Sequence, residues 1–403
     1  MKTSLTNISN NIIWLLTVFL FTTFLVFETY SWGRYAFFGA SALILLLSVF
    51  THHGKLMFRM DAFYKFMLVF IGYTLLSSLW AMNPADSVSK AVTIFQILVC
   101  AAMLYIHYQH MDDVQPLLTA VMWAGYLVAL YTIFFFGTEQ LMEAAAGDRL
   151  GNEYSNVNSI GMAAAYSCTI QVSQFLHKKN HWSVVFMIPA IVVIAATQSR
   201  KALALLVAGV FGVYVMKNFQ NRGFLRKIFR IVLTVVVFLA VASLLYSLPV
   251  FDGVRERMGS MFGFVTGDGG ADSSTILRFH MMELGLEWFV KYPIAGIGIG
   301  NAHILAAQYL GHDTYLHNNF VELLCSGGII GFCIYYAMYA YLFKNLWKYR
   351  RVDYEHFMIC LVWQTLLLAI DFGMVSYSSK SQWFYLMILF LNVQFIKRKM
   401  NST

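Results

Sequence analysis

Apolar residues along this chain gather into long runs broken by short polar connections. Runs of about 18 residues or more are long enough to cross a bilayer core as helices. The pattern predicts spans at Ile12–Phe27, Tyr35–Phe50, Phe63–Trp80, Ala91–Tyr108, Leu117–Phe136, Ile160–Leu176, Trp182–Ala196, Leu203–Met216, Ile231–Leu248, Phe320–Phe343, Phe357–Val375 and Trp383–Phe395. The expected fold is all-α and polytopic, with about 12 membrane helices in one integral-membrane domain over residues 1–403. The spans starting at Tyr35, Trp182 and Leu203 are short for a bilayer, and tilt or extension into polar flanks would complete them. The first run lacks a small-residue cleavage pattern before Glu28 and is expected to stay as a span.

Composition narrows the class. Hydrophobic residues make up 59% of the 403 and charged residues only 12%, with mean hydropathy +0.63, against roughly 25% charge in soluble domains. An ordinary soluble protein is excluded. Lys and Arg fall in alternate connections: Lys55 and Arg59; Lys178 and Lys179; Lys217, Arg222, Arg226, Lys227 and Arg230; Lys344, Lys348, Arg350 and Arg351; Lys397, Arg398 and Lys399. Cytoplasmic flanks retain such charge, so both termini are expected inside. The net charge of +8 is explained by these flanks, and no nucleic-acid partner is implied. Cys100, Cys168, Cys325, Cys333 and Cys360 lie in or at apolar runs without metal spacing, as do His52, His53, His177 and His181 in cytoplasmic connections.

The stretch from Phe251 to Asn319 far exceeds the usual connection length, which marks it as functional. By the charge pattern it is a long outer loop. Within it Ser273 or Ser274 can cap an amphipathic helix whose apolar side is expected at Ile276, Met281, Leu284, Leu286 and Phe289. The helix should end at Tyr292–Pro293, before IAGIGIGNAHI, a glycine-rich run suited to a tight re-entrant bend. A second outer loop, Gly137–Ser159, carries Arg149 and the cluster Asn152, Asn156 and Asn158.

Four polar groupings therefore share the outer side: Asn156/Asn158, TQSRKAL around Arg200, Arg278, and His317–Asn319. The connection holding Arg200 is so short that its charge sits at the membrane boundary, where a cation is costly unless paired or facing water. Snorkelling to headgroups is the plain alternative; a bound phosphate, which guanidinium meets two oxygens at a time, explains it better. Arg278 alone reads as a solvated helix residue, but two guanidinium groups on one cavity would suit a diphosphate. His317 titrates near neutrality and can accept a hydroxyl proton, or else serve as a hydrogen-bonded anchor. Asn318 is expected to cap the helix after it, as Asn156 and Asn158 would cap theirs. Gly327, Gly328 and Gly331 would let another backbone approach. Asp371, inside an apolar run, needs a polar partner that the sequence does not name.

The segments NVNSIG, SRKAL, RFHMMELGLEWFVKYPIAGIGIGN and HNNFVELLCSGGIIG, with His317-Asn318 followed by nine residues and Gly328, resemble the bacterial O-antigen ligase and O-antigen/capsule polymerase superfamily. The resemblance implies an inverting, metal-independent and cofactor-free membrane glycosyltransferase on the outer face of the bacterial inner membrane. It implies Arg200, Arg278 and His317 as the catalytic set, with Arg149, Asn156, Asn158, Tyr315 and Asn318 lining the substrate site. Lys201 departs from the small residue usual after the motif Arg. The implied partners are an undecaprenyl-diphosphate-linked glycan donor, a glycan or lipid A-core acceptor, membrane lipid and a chain-length regulator protein. HNNF and IIGF look more like polymerase variants, with the ligase as the alternative reading. A secondary transporter is the reading from another class, but related halves and midplane breaks, its usual marks, are not evident.

Overall fold

A computed structural model describes residues 2–27, 30–54, 59–146, 150–151, 155–178, 181–219 and 273–402, with isolated positions 236, 243, 247, 255 and 259. The expected span Ile231–Leu248, Arg149, Asn152 and the first part of the long loop lie outside the described residues, bar those isolated positions, as do the side chains of Ser273 and Ser274. Among the described residues the chain is helical without strands. The helices are α1 (Lys2–Val26), α2 (Ser31–Thr51), α3 (Ala62–Leu76), α4 (Pro84–Tyr108), α5 (Gln115–Ala146), α6 (Val157–Lys178), α7 (Trp182–Thr197), α8 (Arg200–Phe219), α9 (Ser273–Lys291), α10 (Ala302–Leu310), α11 (Asn319–Lys348), α12 (Tyr354–Asp371) and α13 (Lys380–Ser402).

Seven helical segments among the described residues are long and apolar enough to cross a membrane, fewer than the expected count: Thr6–Val26, Ser31–Thr51, Ala62–Leu79, Pro84–Tyr108, Gln115–Ala144, Arg200–Asn218 and Asn319–Lys348. Helices also form over the runs starting at Ile160, Phe357 and Trp383. These carry buried polar side chains, among them Gln171, Gln364, Asp371, Gln382 and Asn392, which lower their hydropathy.

The chain forms two compact units. The first comprises Met1–Ala40, Gln115–Gly270 and Tyr354–Leu366. Its helices meet through small residues: Gly125 of α5 lies against the Ala163 backbone and Ser167 of α6, and Gly209 of α8 against Thr169, with no room for a Cβ at either. Ser167 Oγ donates to the Met122 carbonyl at 2.6 Å. Lipid tails are as apolar as side chains, so close contact and hydrogen bonds of this kind supply the cohesion. The connection expected from Gly137 instead continues as helix to Ala146. Gly137 (φ 74°, ψ 166°) breaks α5 where the apolar run ends.

The second unit comprises Ser41–Val114, Ala271–Asp353 and Leu367–Thr403. Its interior is aromatic, with Phe70 against Tyr335 at 5.3 Å and Trp383 at 6.0 Å between centroids. In α9, Met281 and Leu284 are buried as expected, but Ile276 and Leu286 are 37% and 45% exposed. The packed stripe is Leu277, Met281, Leu284 and Trp288, held against Leu305, Leu316, Val321 and Cys325. That spacing follows the 3.6-residue period, which places Leu286 off the face.

The expected glycine-rich bend forms and has a defined seat. α11 breaks at Gly328 (φ 58°, ψ −168°), freeing backbone groups that a buried helix cannot leave unpaired. The bend supplies their partners: Ile329 and Ile330 donate to the Pro293 and Ile294 carbonyls at 2.8 and 3.2 Å, and Ile297 donates to the Cys325 carbonyl at 3.1 Å. Tyr73 Oη donates to the Gly327 carbonyl at 2.6 Å. A Cβ at Gly328 would strike the Ile294 backbone, so the expected close backbone approach is present there, whereas Gly327 and Gly331 lie against the Ile299 and Tyr73 side chains. The bend continues into α10, a helix the sequence pattern did not reveal. Buried Asn301 pins the junction, accepting from Asn83 N and donating to Ser87 Oγ.

Candidate functional site

In the first unit, α7 ends at Thr197 and α8 starts at Arg200, so the connection is as short as expected. Gln198 takes a left-handed conformation (φ 46°), and its Nε2 donates to the Ala144 carbonyl at 2.7 Å. Ser199 Oγ accepts from Ala202 N at 3.3 Å, capping α8, and donates to Asn158 Oδ1 at 3.0 Å. Asn156 Oδ1 in turn accepts from Asn158 N at 2.9 Å, capping α6. Gly161 lies against Thr197 and Ala202 with no space for a Cβ. NVNSIG is thus the bracket that holds the Arg200 turn. Asn156 does the capping work, and Asn158 reaches across to the residue beside the guanidinium. Half-buried Arg200 is the first residue of its helix, where the positive end of the helix dipole disfavours a cation and favours an anion.

In the second unit, His317 sits between α10 and α11 with φ 58°, uncommon for a residue with a side chain. Its neighbours fix it on both sides. Leu316 N donates to the buried Glu322 Oε2 at 2.9 Å, and Asn318 caps α11, accepting from Phe320 N and Val321 N at 3.0 and 3.1 Å. The rings of Tyr315 and His317 touch, with centroids 4.4 Å apart. Burial raises the Tyr315 hydroxyl above its usual range, Arg278 draws it down, and Glu322 raises it. Arg278 and Glu322 therefore lie within electrostatic reach of Tyr315, whose ring touches His317.

Asp371 has partners. Its carboxylate accepts from Ser376 Oγ at 2.5 Å, Tyr336 Oη at 3.0 Å and Asn319 Nδ2 at 3.4 Å, while Asn319 Oδ1 accepts from Ser376 N and Tyr377 N. The network ties residues 376–377 to the first turn of α11, beside His317.

Sequence reasoning missed Asp86, Lys90, His303 and Asp313. Lys90 and His303 lie within electrostatic reach of Glu322, and His303 bonds both aspartates. Asp86 lies 217 residues from His303, a separation no local pattern bridges. Among the described residues no group of three or more His, Cys, Asp or Glu side chains is arranged to hold a metal ion.

A multi-pass helical membrane protein with this polar constellation is the class that fold and geometry define. Residues 184–336 match the family model described as O-antigen ligase, which supports the resemblance to the O-antigen ligase superfamily. The match supports a function of the general ligase and polymerase type. Arg200, Arg278, Tyr315, His317 and Asn318 fall inside the matched stretch; Asn156 and Asn158 precede it. In a comparison with curated proteins, none matched the chain.

Proposed function

We propose that the chain polymerises oligosaccharide repeat units carried on undecaprenyl diphosphate, working at the outer face of the bacterial inner membrane with both termini in the cytoplasm and part of the site on the 251–319 loop. Arg200 and Arg278 hold the diphosphate. His317 takes the proton of an acceptor sugar hydroxyl, whose oxygen attacks the anomeric carbon from the face opposite the phosphate. One C–O bond forms, the C–O bond to the diphosphate breaks, and the lipid diphosphate leaves as an anion with inversion at carbon. Bringing nucleophile and anomeric carbon together supplies the orientation part of the rate, and the guanidinium groups stabilise the departing charge.

The observation that carries this reading is the His317 backbone: a strained residue, clamped by Glu322 and Asn318 and touching a tyrosine in the field of Arg278. Strain of this kind gathers where geometry is used. Single Ala substitutions of Arg200, Arg278 and His317 should each lower transfer by about 100-fold or more while the protein still accumulates in the membrane. Full activity in all three would end the assignment.

A ligase that passes the glycan to lipid A-core is supported by the description of the matched family, and polymerase by HNNF and IIGF. Purified protein incubated with lipid-linked oligosaccharide and a chelator separates them. A ladder of products supports polymerisation; single transfer that requires lipid A-core supports ligation.

A further inference from the structure

We propose that His303 is a positioning residue for this reaction: clasped between Asp86 and Asp313, it holds the segment 311–318, and with it His317, against α4. The inference rests on the reading of His317 as the base. His303 Nδ1 lies 2.7 Å from Asp313 Oδ1 and Nε2 lies 3.1 Å from Asp86 Oδ2.

Each end of the clasp is anchored. Asp86 stands in the first turn of α4, where the helix dipole favours a carboxylate, and also accepts from Asn83 Nδ2 at 2.9 Å. Asp313 follows Gly311, which closes α10 with φ 70°. From there the chain passes through three further ties: His312 N on the Ala306 carbonyl, Leu316 N on Glu322, and the Asn318 cap. The Asp313 contact joins this segment to α4. A left-handed His317 persists only while its surroundings over-determine it, and removing that tie loosens the segment that sets its direction.

A neutral imidazole has one N–H and can donate to one carboxylate, so two donated bonds require the imidazolium. The charged groups around His303 are Asp86 of α4, Asp313 of the segment and Glu322 of α11, and Lys90 of α4 lies within electrostatic reach of Glu322. Burial lowers its pKa, but the bonds and charges of Asp313 and Asp86 outweigh this and raise it above 6.5. A raised histidine contributes fully below its unfolded value, and the contribution is lost as pH rises through the folded value. The clasp therefore opens on the alkaline side.

The test uses the full chain in lipid nanodiscs, reading amide hydrogen exchange at 311–317 and transfer from lipid-linked oligosaccharide. In His303→Gln, exchange there should quicken and kcat should fall by about 100-fold, with the donor KM changed less than about twofold. In the wild type, exchange should rise and kcat fall as pH passes the raised value. His303→Arg, a cation that does not titrate, should recover most of the lost rate and abolish that alkaline fall. If Gln does not fold, Asp313→Asn carries the same expectation from the exposed end of the clasp. Wild-type exchange and kcat in these variants, or an alkaline fall persisting in His303→Arg, would overturn the proposal. If instead the wild type transfers nothing, or His317→Ala transfers at full rate, the reading of His317 fails, and exchange at 311–317 in His303→Gln still decides the clasp.

Discussion

His317 holds a φ of 58°, a conformation that costs about 1–3 kcal/mol for a residue with a side chain. Contacts of its neighbours, Leu316 with Glu322 and the Asn318 cap, help to offset that cost. Asn318 caps α11, so Asn318→Ala should destabilise the protein by about 1 kcal/mol and Asn318→Ser by much less, because the serine hydroxyl can replace the amide oxygen. Thermal unfolding in detergent compares the two, and equal losses would mean the cap is not what the side chain provides. Asp371→Ala would leave Ser376, Tyr336 and Asn319 without their buried acceptor. About 1–3 kcal/mol should be lost per stranded group, and Asp371→Asn, which keeps one acceptor oxygen, should lose less in the same measurement.

Breaks in the helices do as much as the helices themselves. Gly328 lies in a region of φ and ψ open only to glycine, with the Ile294 backbone against the place a Cβ would fill. Gly328→Ala should cost about 3 kcal/mol or more, enough to undock residues 293–297 and expose the backbone of α11. Gly72, within α3 of the same unit, has open space at its Cβ position. Gly72→Ala should be neutral or stabilise by about 0.5–1 kcal/mol, because alanine loses less backbone freedom in a helix. Protease resistance and unfolding temperature of this pair test whether the break is a built feature; equal responses would show that it is not.

At the scale of the molecule, the basic flanks and the apolar runs imply one orientation. In the proposed orientation, with the alternate connections cytoplasmic, α10 would face outward and the end of α13 inward. Gln308→Cys, at an exposed position of α10, should react with a membrane-impermeant maleimide applied to spheroplasts. Asn401→Cys, near the exposed end of α13, should react only after permeabilisation. The reverse pattern would turn the whole proposed site toward the cytosol.

What the sequence by itself determined is whatever follows from near neighbours along the chain. The helical runs, the turn before Arg200, the Asn318 cap and the glycine at 328 are matters of hydropathy, period and backbone freedom over a few residues. The tertiary structure alone decided the pairings across long separations: Asp371 with Asn319, the bend at 293–297 on the broken α11, the packed face of α9, and His303 between Asp86 and Asp313. Local pattern states that a buried carboxylate or a freed carbonyl needs a partner. Only the path of the folded chain brings one within 3 Å or so.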